Sequence, residues 1–245
     1  MPVPYLRSLT GKQRSGAANR QLARFLAFIA GATDAGGYVA VRQYTSHMSG
    51  LTSSIANRIA AGELWLAAVG ISALLAFIAG AACTAMLVNL GRRQKRHGVY
   101  AAPLLLEAAL MVCFGLMGRR FEGHHWLLAS ATVGLLCFTM GLQNAIITKI
   151  SEAEIRTTHV TGMVTDIGIE LGKAMYWNRS AGERRVEADG GKLWLLISLV
   201  GLFLIGGVLG AIGFVHVGFE VALPLAAVLL LLAAVPVVDD LREIL

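Results

Sequence analysis

The 245-residue chain is 56% hydrophobic and only 15% charged. A water-soluble domain of this size would leave too much apolar surface exposed, so the composition excludes a soluble protein and indicates an integral membrane protein. The formal net charge of +6 does not point to nucleic acid, because the basic residues stand in loops beside apolar segments, where they set topology and contact anionic headgroups.

The apolar and polar segments alternate along the chain behind a basic tail at residues 1–24. Segments that can cross the roughly 30 Å hydrocarbon core are predicted at 25–43, 64–90, 101–118, 126–148, 193–215 and 219–238. Two more polar helical segments lie at 46–61 and 158–174. The predicted fold class is an all-α integral membrane protein with six transmembrane helices plus two polar re-entrant or broken helices.

The charge distribution bears on whether the two polar segments cross the membrane. Eight full spans leave seven of the 21 Lys and Arg residues outside, whereas six spans with two partial helices leave four. The positive-inside rule therefore favours six spans, with the basic tail and both termini in the cytoplasm.

One polar phrase occurs twice. Ser46-His47-Met48-Ser49-Gly50 and Thr158-His159-Val160-Thr161-Gly162 both consist of hydroxyl, His, apolar, hydroxyl and Gly, 112 residues apart. The repeat divides a single membrane domain into unit one (25–118) and unit two (126–238). Three spans per unit is an odd number, so the second copy is expected to be inverted, with discontinuous helices meeting near the midplane. Eight spans would make the copies parallel.

Ionisable groups inside the membrane are functional candidates, because hydrocarbon penalises charge. Asp34 lies in the first apolar segment, and Asn144 is its counterpart in unit two. Asp34 could cap a half-helix, bind a cation or make a helix-packing hydrogen bond. His47 and His159 occupy matching positions, where they could relay protons, gate a cavity or anchor the half-helices on backbone carbonyls.

The other residues of the two phrases suggest helix starts. Ser46 and Thr158 are expected to be N-caps. Gly50 and Gly162 would allow close contact there, so the two helix N-termini could cradle an anion or carboxylate. Capping alone also explains the hydroxyl groups.

Three further acidic residues lie outside the phrases. Asp166 and Glu170 are four apart and share one helical face. Glu170 and Arg58 could form an ion pair across the repeat, or both could lie at solvated helix ends. Glu107 sits in the middle of an apolar segment and needs a partner, for which Asp34 or a histidine is a candidate.

The remaining features predict neither a metal site nor a cofactor. The three cysteines fall within apolar segments without metal-ligand spacing, and no phosphate-binding, dinucleotide-binding or zinc-protease motif occurs. No catalytic residue is predicted. Gly168-xxx-Gly172 matches a helix-packing face.

Four phrases together resemble a known family: Thr33-Asp34-Ala35, Ser46 to Gly50, Gly141-Leu142-Gln143-Asn144-Ala145, and Arg156 to Gly162. They are similar to the YoaK-type family of bacterial inner-membrane proteins, a domain of unknown function. Leu51 departs from the family, which tends to have Asn after the first phrase. The resemblance implies a multi-span protein of the bacterial inner membrane and carries no substrate or activity.

The favoured function is a small-solute transporter or channel-like protein with a polar site between two repeats. The alternatives are an integral membrane enzyme acting on a lipid-soluble substrate, or a non-catalytic membrane module. The expected partners are the lipid bilayer and an unidentified small solute, with no nucleic acid; the sequence indicates no oligomeric state. The candidate substrate- or ion-binding residues are Asp34, Ser46, His47, Gly50, Glu107, Asn144, Thr158, His159, Gly162 and Asp166.

Overall fold

The computed structural model describes residues 15–94, 96, 98–117, 125–151, 157–177 and 185–244. Within these residues the fold is entirely helical, which confirms the all-α prediction. Residues 1–14 of the predicted basic tail, and Arg156, lie outside the described residues. The eight α-helices are α1 (Gly16–Val41), α2 (Met48–Ala60), α3 (Leu64–Arg93), α4 (Ala101–Met117), α5 (His125–Ile150), α6 (Val160–Met175), α7 (Gly190–His216) and α8 (Ala222–Ile244).

Among the described residues, four helical stretches are long and apolar enough to cross a membrane. They are Leu64–Arg93, Ser130–Ile150, Gly190–His216 and Phe219–Val238, while Ala101–Met117 is apolar but shorter. Only 17% of the most apolar window of α3 and 22% of that of α7 is buried, and these helices expose mainly Leu, Ile, Val, Met and Trp side chains. A surface of this kind is stable against lipid rather than water, so the chain is an integral membrane protein.

Helix α1 begins well before the predicted start at residue 25. It starts at Gly16 because the side chain of Ser15 caps it, accepting a hydrogen bond from the backbone N–H of Ala18 at 3.2 Å. A cap of this kind supplies an acceptor to one of the free N–H groups of the first turn. Its position explains the nine extra residues, which the hydropathy of the segment alone did not predict.

The two polar segments form helices that begin two residues later than predicted. Helix α2 has 13 residues and α6 has 16. At 1.5 Å per residue they are about 20 and 24 Å long, shorter than the hydrocarbon core. Helix α2 packs against α3 through Leu51 and Ile55, and α6 packs against α7 with Met163 buried.

Two close helix crossings organise the bundle, one between α1 and α7 and one between α3 and α5. Each of the four helices carries a Phe-x-x-Gly sequence, and the glycine of one helix lies on the carbonyl group of the other helix's Phe. The pairs are Gly31 on Phe203, Gly206 on Phe28, Gly80 on Phe138 and Gly141 on Phe77. A Cβ at any of these glycines would overlap the carbonyl oxygen, so only glycine permits this approach.

The helices of each crossing run in the same direction. Near the start of α1 the Arg24 guanidinium donates to the Ser198 hydroxyl at 3.0 Å, and near its end Gly36 lies against Phe214 of α7. In the other pair, beyond the glycine contacts, Thr84 donates to the carbonyl of Leu142 at 2.9 Å.

Helix α5 runs opposite to α1. Asn19 donates to the carbonyl of Ile150 at 3.2 Å, and Gln143 donates to that of Leu26 at 3.3 Å. We call the end that holds Gly16, Ile150 and Gly190 end A, and the opposite end, which holds Leu64 and His216, end B. Helices α1, α4 and α7 run from A to B, and helices α3, α5 and α8 run from B to A.

Candidate functional site

A cavity of about 710 Å³ lies where the N-termini of α2 and α6 meet. Both copies of the repeated phrase border it, through residues 46–49 and 158–161, and Asp34 and Asn144 also line it. Phe77 and Phe203 complete the wall from the midpoints of α3 and α7. The volume falls within the range of small-molecule sites in proteins. We call this space the central cavity.

Asp34 holds the segment that leads into α2. The chain reverses after α1 at Arg42, which has left-handed backbone geometry with φ of 56°. It then returns to Asp34. The Oδ1 atom of Asp34 accepts hydrogen bonds from the backbone N–H groups of Thr45 and Ser46, each at 2.9 Å, and from the Thr45 hydroxyl at 3.3 Å. The carboxylate therefore fixes the start of α2 beside the cavity, and its Oδ2 accepts no hydrogen bond from a described residue.

Asn144 plays the corresponding part for α6. Its Oδ1 accepts the Thr158 hydroxyl at 2.6 Å, and its Nδ2 donates to the carbonyl of Met140 at 3.1 Å. Both half-helices are thus tethered to the long helix that precedes them by one polar side chain. Of these two tethers, only Asp34 carries a charge.

The structure contradicts the predicted N-caps. The N-cap positions of α2 and α6 are His47 and His159, and neither side chain makes a capping hydrogen bond. Ser46 and Thr158 each lie one residue before the N-cap, where the Ser46 backbone N–H donates to Asp34 and the Thr158 hydroxyl donates to Asn144.

The two phrase glycines accommodate the histidine rings. A Cβ on Gly50 would overlap the imidazole of His47, and a Cβ on Gly162 would overlap that of His159, lying 2.7 Å from its Cε1. Each imidazole therefore folds back over the first turn of its own helix. The close contact expected at these glycines is with the protein's own histidines.

The uncapped helix starts leave donors beside the cavity. The backbone N–H groups of Ser49, Gly50, Thr161 and Gly162 have no hydrogen-bond partner among the described residues. Such groups carry positive partial charge and bind acceptor atoms. Across the described part of the chain, no group of three or more His, Cys, Asp or Glu side chains is placed to hold a metal ion. Of the four residues with free N–H groups, Ser49 and Thr161 line the central cavity and so bring hydrogen-bond donors to its border.

Two predicted site residues lie away from the central cavity. Glu107 is buried in α4, and its Oε2 has no hydrogen-bond partner among the described residues, so the expected pairing with Asp34 or a histidine is not made. Asp166 lies 3.3 Å from the Lys192 ammonium and lines a second cavity of about 690 Å³ at end A. Both are candidate binding residues from the sequence, but neither lines the central cavity.

Glu170 attaches α6 to the start of α7 at end A. Its buried carboxylate accepts hydrogen bonds from the Lys173 ammonium and from the backbone N–H of Asp189, both at 2.9 Å. The ammonium of Lys192 lies 3.9 Å from the same carboxylate. These hydrogen bonds, that of Lys173 first, hold the pKa of Glu170 below its ordinary value because they stabilise the charged form.

The shared helical face of Asp166 and Glu170 is confirmed, since both approach Lys192. The possible pair between Glu170 and Arg58 is not formed. Arg58 pairs with Glu63 at end B, because α2 and α6 run from the cavity to opposite ends.

Sequence reasoning missed the aromatic wall of the cavity. Phe77 and Phe203 line it, together with Tyr44 in the turn after α1. A signal was available, because Phe-x-x-Gly occurs in all four crossing helices. Sequence reasoning also missed a correspondence between two helix starts. The sequence Ala-x-Pro-Leu begins both α4, at Ala101, and α8, at Ala222.

A family model described as a protein of unknown function (DUF1275) matches residues 22–235. The chain belongs to this family. The match takes in both polar phrases and confirms the resemblance to the YoaK-type proteins, which are members of it. No significant match was found among curated proteins or among solved structures. Membership therefore brings no substrate or reaction, and the function has to be argued from the site.

Proposed function

We propose that the protein is a small-solute transporter or channel-like protein of the bacterial inner membrane, with its polar site between two inverted repeats. The observation that carries the proposal is the central cavity, which both polar phrases border at the midpoints of α3 and α7. Discontinuous helices that meet near the bilayer midplane are a recurrent way for transporters to bind solutes.

The proposed membrane arrangement has six spans and two half-helices. Unit one contains α1 to α4 and unit two contains α5 to α8. Three observations support an inverted repeat: α1 and α5 run in opposite directions, the two Phe-x-x-Gly crossings make the same contacts, and both α4 and α8 open with Ala-x-Pro-Leu. Helices α2 and α6 then each reach from the midplane to one surface.

The proposed orientation puts end A and both termini in the cytoplasm. Arg92 and Arg93 close α3 at this end, Lys173 closes α6, and Lys192 opens α7. An excess of Lys and Arg is typical of cytoplasmic loops.

The proposal contains no catalytic step, cofactor or nucleic acid. An enzyme acting on a lipid-soluble substrate would use Glu107, Asp34 or the histidines. Glu107 does not line the central cavity, and Asp34 already accepts three hydrogen bonds at Oδ1. Free N–H donors at two helix starts favour binding of a solute over proton transfer to it.

Cysteine accessibility tests the proposal. In a background with the three native cysteines replaced, Ser49→Cys and Thr161→Cys should react with a charged, membrane-impermeant thiol reagent, since water must reach a transport site. Leu204→Cys is the matched control: it lies next to Phe203 at the same depth and is 64% exposed, but it does not line the cavity. Absence of labelling at both cavity positions, with or without solutes, would refute a water-accessible pathway.

Labelling between α3 and α4 tests the topology separately. A cysteine at position 96 should react only from the cytoplasmic side, and periplasmic labelling there would overturn the six-span arrangement. Uptake of a panel of small solutes into proteoliposomes then tests transport itself. Asp34→Asn and His47→Ala serve as site variants, and unchanged transport in both would remove these residues from the mechanism.

A further inference from the structure

Asp34 brings one unpaired carboxylate oxygen to the central cavity. The residue is only 6% exposed, yet it lines the cavity. Its Oδ1 accepts three hydrogen bonds from Thr45 and Ser46, whereas its Oδ2 accepts none from a described residue and is not sealed inside the protein. Asp34 also forms no ion pair with any described residue. Its Oδ2 is therefore an acceptor that is open to the cavity.

The negative charge of Asp34 has no basic partner in the wall of the cavity. No Lys or Arg occurs among the described residues that line it. His47 and His159 line it as well, but each imidazole lies over the first turn of its own helix. Charged groups within a membrane protein are usually paired, because hydrocarbon penalises an isolated charge. A solute that carries a cation would supply the missing partner.

Asn144 shows that tethering a half-helix does not require a charge. Its Oδ1 accepts the Thr158 hydroxyl and its Nδ2 donates to the carbonyl of Met140, so both polar atoms of this side chain are engaged. A neutral amide thus tethers α6 in the way that Asp34 tethers α2. The carboxylate at position 34 therefore adds something that the tether does not need, which is a negative charge on one side of the cavity.

The starts of α2 and α6 bring the opposite polarity to the same cavity. The backbone N–H groups of Ser49 and Thr161 have no hydrogen-bond partner among the described residues, and both residues line the cavity. A helix N-terminus carries roughly half a positive elementary charge. Groups of this kind bind carboxylates and phosphates. The cavity therefore has a positive side as well as a negative one.

One small molecule can reach both sides. The Ser46 N–H is bonded to Asp34 at 2.9 Å, and Ser49 follows three residues later, so their backbone nitrogens are at most about 11 Å apart. The two helix starts together supply roughly +1, which balances the charge of Asp34. A solute with a single positive or a single negative group would complement only one side. A zwitterion complements both.

The rest of the wall suits an organic solute better than a metal ion. Phe77, Phe203 and Tyr44 line the cavity. Aromatic rings bind apolar groups, and their faces attract organic cations. A calcium ion would take about six to eight oxygen ligands, whereas Asp34 supplies the one carboxylate among the described lining residues.

We infer that the central cavity binds an amino-acid-like zwitterion. Its ammonium group pairs with Oδ2 of Asp34, and its carboxylate accepts hydrogen bonds from the backbone N–H groups of Ser49 and Thr161. The side chain of the solute lies against Phe77 and Phe203. This inference names the substrate class of the proposed transport site and so rests on the proposed function.

Calorimetric titration of the purified full-length protein in detergent tests the substrate class. The probes are the standard L-amino acids and, for the one that binds most tightly, its amide and its N-acetyl derivative. The amide lacks the carboxylate and the N-acetyl derivative lacks the ammonium. Each derivative should have a Kd about 10- to 100-fold higher than the parent, the range for one hydrogen bond to a charged group. Binding of no amino acid, or a derivative that binds as tightly as its parent, would overturn the inference.

Asp34→Asn tests the negative side of the cavity. This variant should bind the parent amino acid and its N-acetyl derivative equally weakly, because the charge that the ammonium contacts is gone. Asn144 shows that an amide can tether a half-helix, so the variant should keep its helical circular dichroism. Asp166→Asn is the matched control, since it removes a carboxylate at end A and should leave every Kd unchanged. An unaltered preference for the parent in Asp34→Asn would contradict the assigned ion pair.

Thr161→Pro tests the positive side and does not depend on Asp34. Proline removes the free N–H and is tolerated in the first turn of a helix. The Kd of the parent amino acid should rise about 10- to 100-fold, while that of the amide should change little. Gly191→Pro is the matched control, because it makes the same change at the second residue of α7, away from the central cavity. Equal Kd values for Thr161→Pro and Gly191→Pro would reject the carboxylate site.

The two proposals can fail independently. Uptake into proteoliposomes of a solute that lacks an ammonium or a carboxylate, with no amino acid bound, would reject the zwitterion and leave transport standing. An amino acid that binds with the predicted dependence on Asp34 and Thr161, but is not taken up, would support the binding site and reject transport.

Discussion

The crossing of α3 and α5 predicts a large effect from a very small substitution. In Gly141→Ala, the new Cβ would overlap the carbonyl oxygen of Phe77 and lie 2.8 Å from its carbonyl carbon. Both sides of the contact are backbone, so no side-chain rotation can relieve it. Non-bonded carbon atoms prefer about 3.5–4.0 Å, so the helices must separate by about 1 Å.

The expected loss of unfolding free energy follows from the packing and hydrogen bonding that this separation disturbs. Forcing extra volume into a close-packed contact costs about 1–3 kcal/mol. The hydrogen bond from Thr84 to the carbonyl of Leu142 spans the same interface and contributes about 0.6 kcal/mol, a typical value in membranes. The free energy of unfolding should therefore fall by about 2–4 kcal/mol, the sum of these two effects.

Denaturation in mixed detergent micelles, followed by circular dichroism, measures this loss. Gly134→Ala is the matched control on the same helix, since its Cβ would meet nothing within 4 Å. The control should be unchanged or more stable by up to about 1 kcal/mol, because alanine has the higher helix propensity. If Gly141→Ala unfolds at the same detergent fraction as Gly134→Ala, the two helices are not in backbone contact and the reasoning fails.

Two further predictions concern the half-helices. Because the pKa of Glu170 is lower in the folded protein than its ordinary value of 4.5, its contribution to stability is complete above that pH and is lost as the pH falls through the folded value. Thermal unfolding should show this acid sensitivity in the unmodified protein and less of it in Glu170→Gln; equal pH profiles would contradict the attachment of α6 by this carboxylate. At the start of α2, Gly50→Ala should displace the His47 ring, because the three described atoms nearest to the new Cβ all belong to that ring. The unfolding free energies of Gly50→Ala and His47→Ala should therefore be strongly non-additive. Additive effects in that double-mutant cycle would show that the ring does not lie over the glycine.

Particular residues show how far sequence reasoning reached at the site. The duplicated phrases predicted that two short polar helices begin near residues 46 and 158, and the structure has them beginning at 48 and 160. Asp34 and Asn144 were selected as counterparts, and each tethers one of these helices. These inferences succeeded because an isolated polar group in an apolar chain needs a partner wherever it lies.

The failures have a common physical cause. Glu107 and Asp166 were named as candidate binding residues together with the cavity residues, but which polar groups meet depends on helix direction and register. The caps failed for a related reason: Asp34 and Asn144, 12 and 14 residues away, engage Ser46 and Thr158. The four Phe-x-x-Gly sequences were visible, but a Phe and a Gly three residues apart in one helix indicate nothing until another helix crosses it.

The sequence by itself determined that the protein is an all-α membrane protein, because the length and hydropathy of a segment are local properties that decide whether it can cross a lipid bilayer. It also determined the family and the positions of two polar helix starts. Only the tertiary structure decided that these starts border one cavity between Phe77 and Phe203, and that Asp166 and Glu107 lie elsewhere. Those facts depend on which helices cross, and the crossings depend on backbone contacts between residues more than 50 positions apart, such as Gly80 and Phe138.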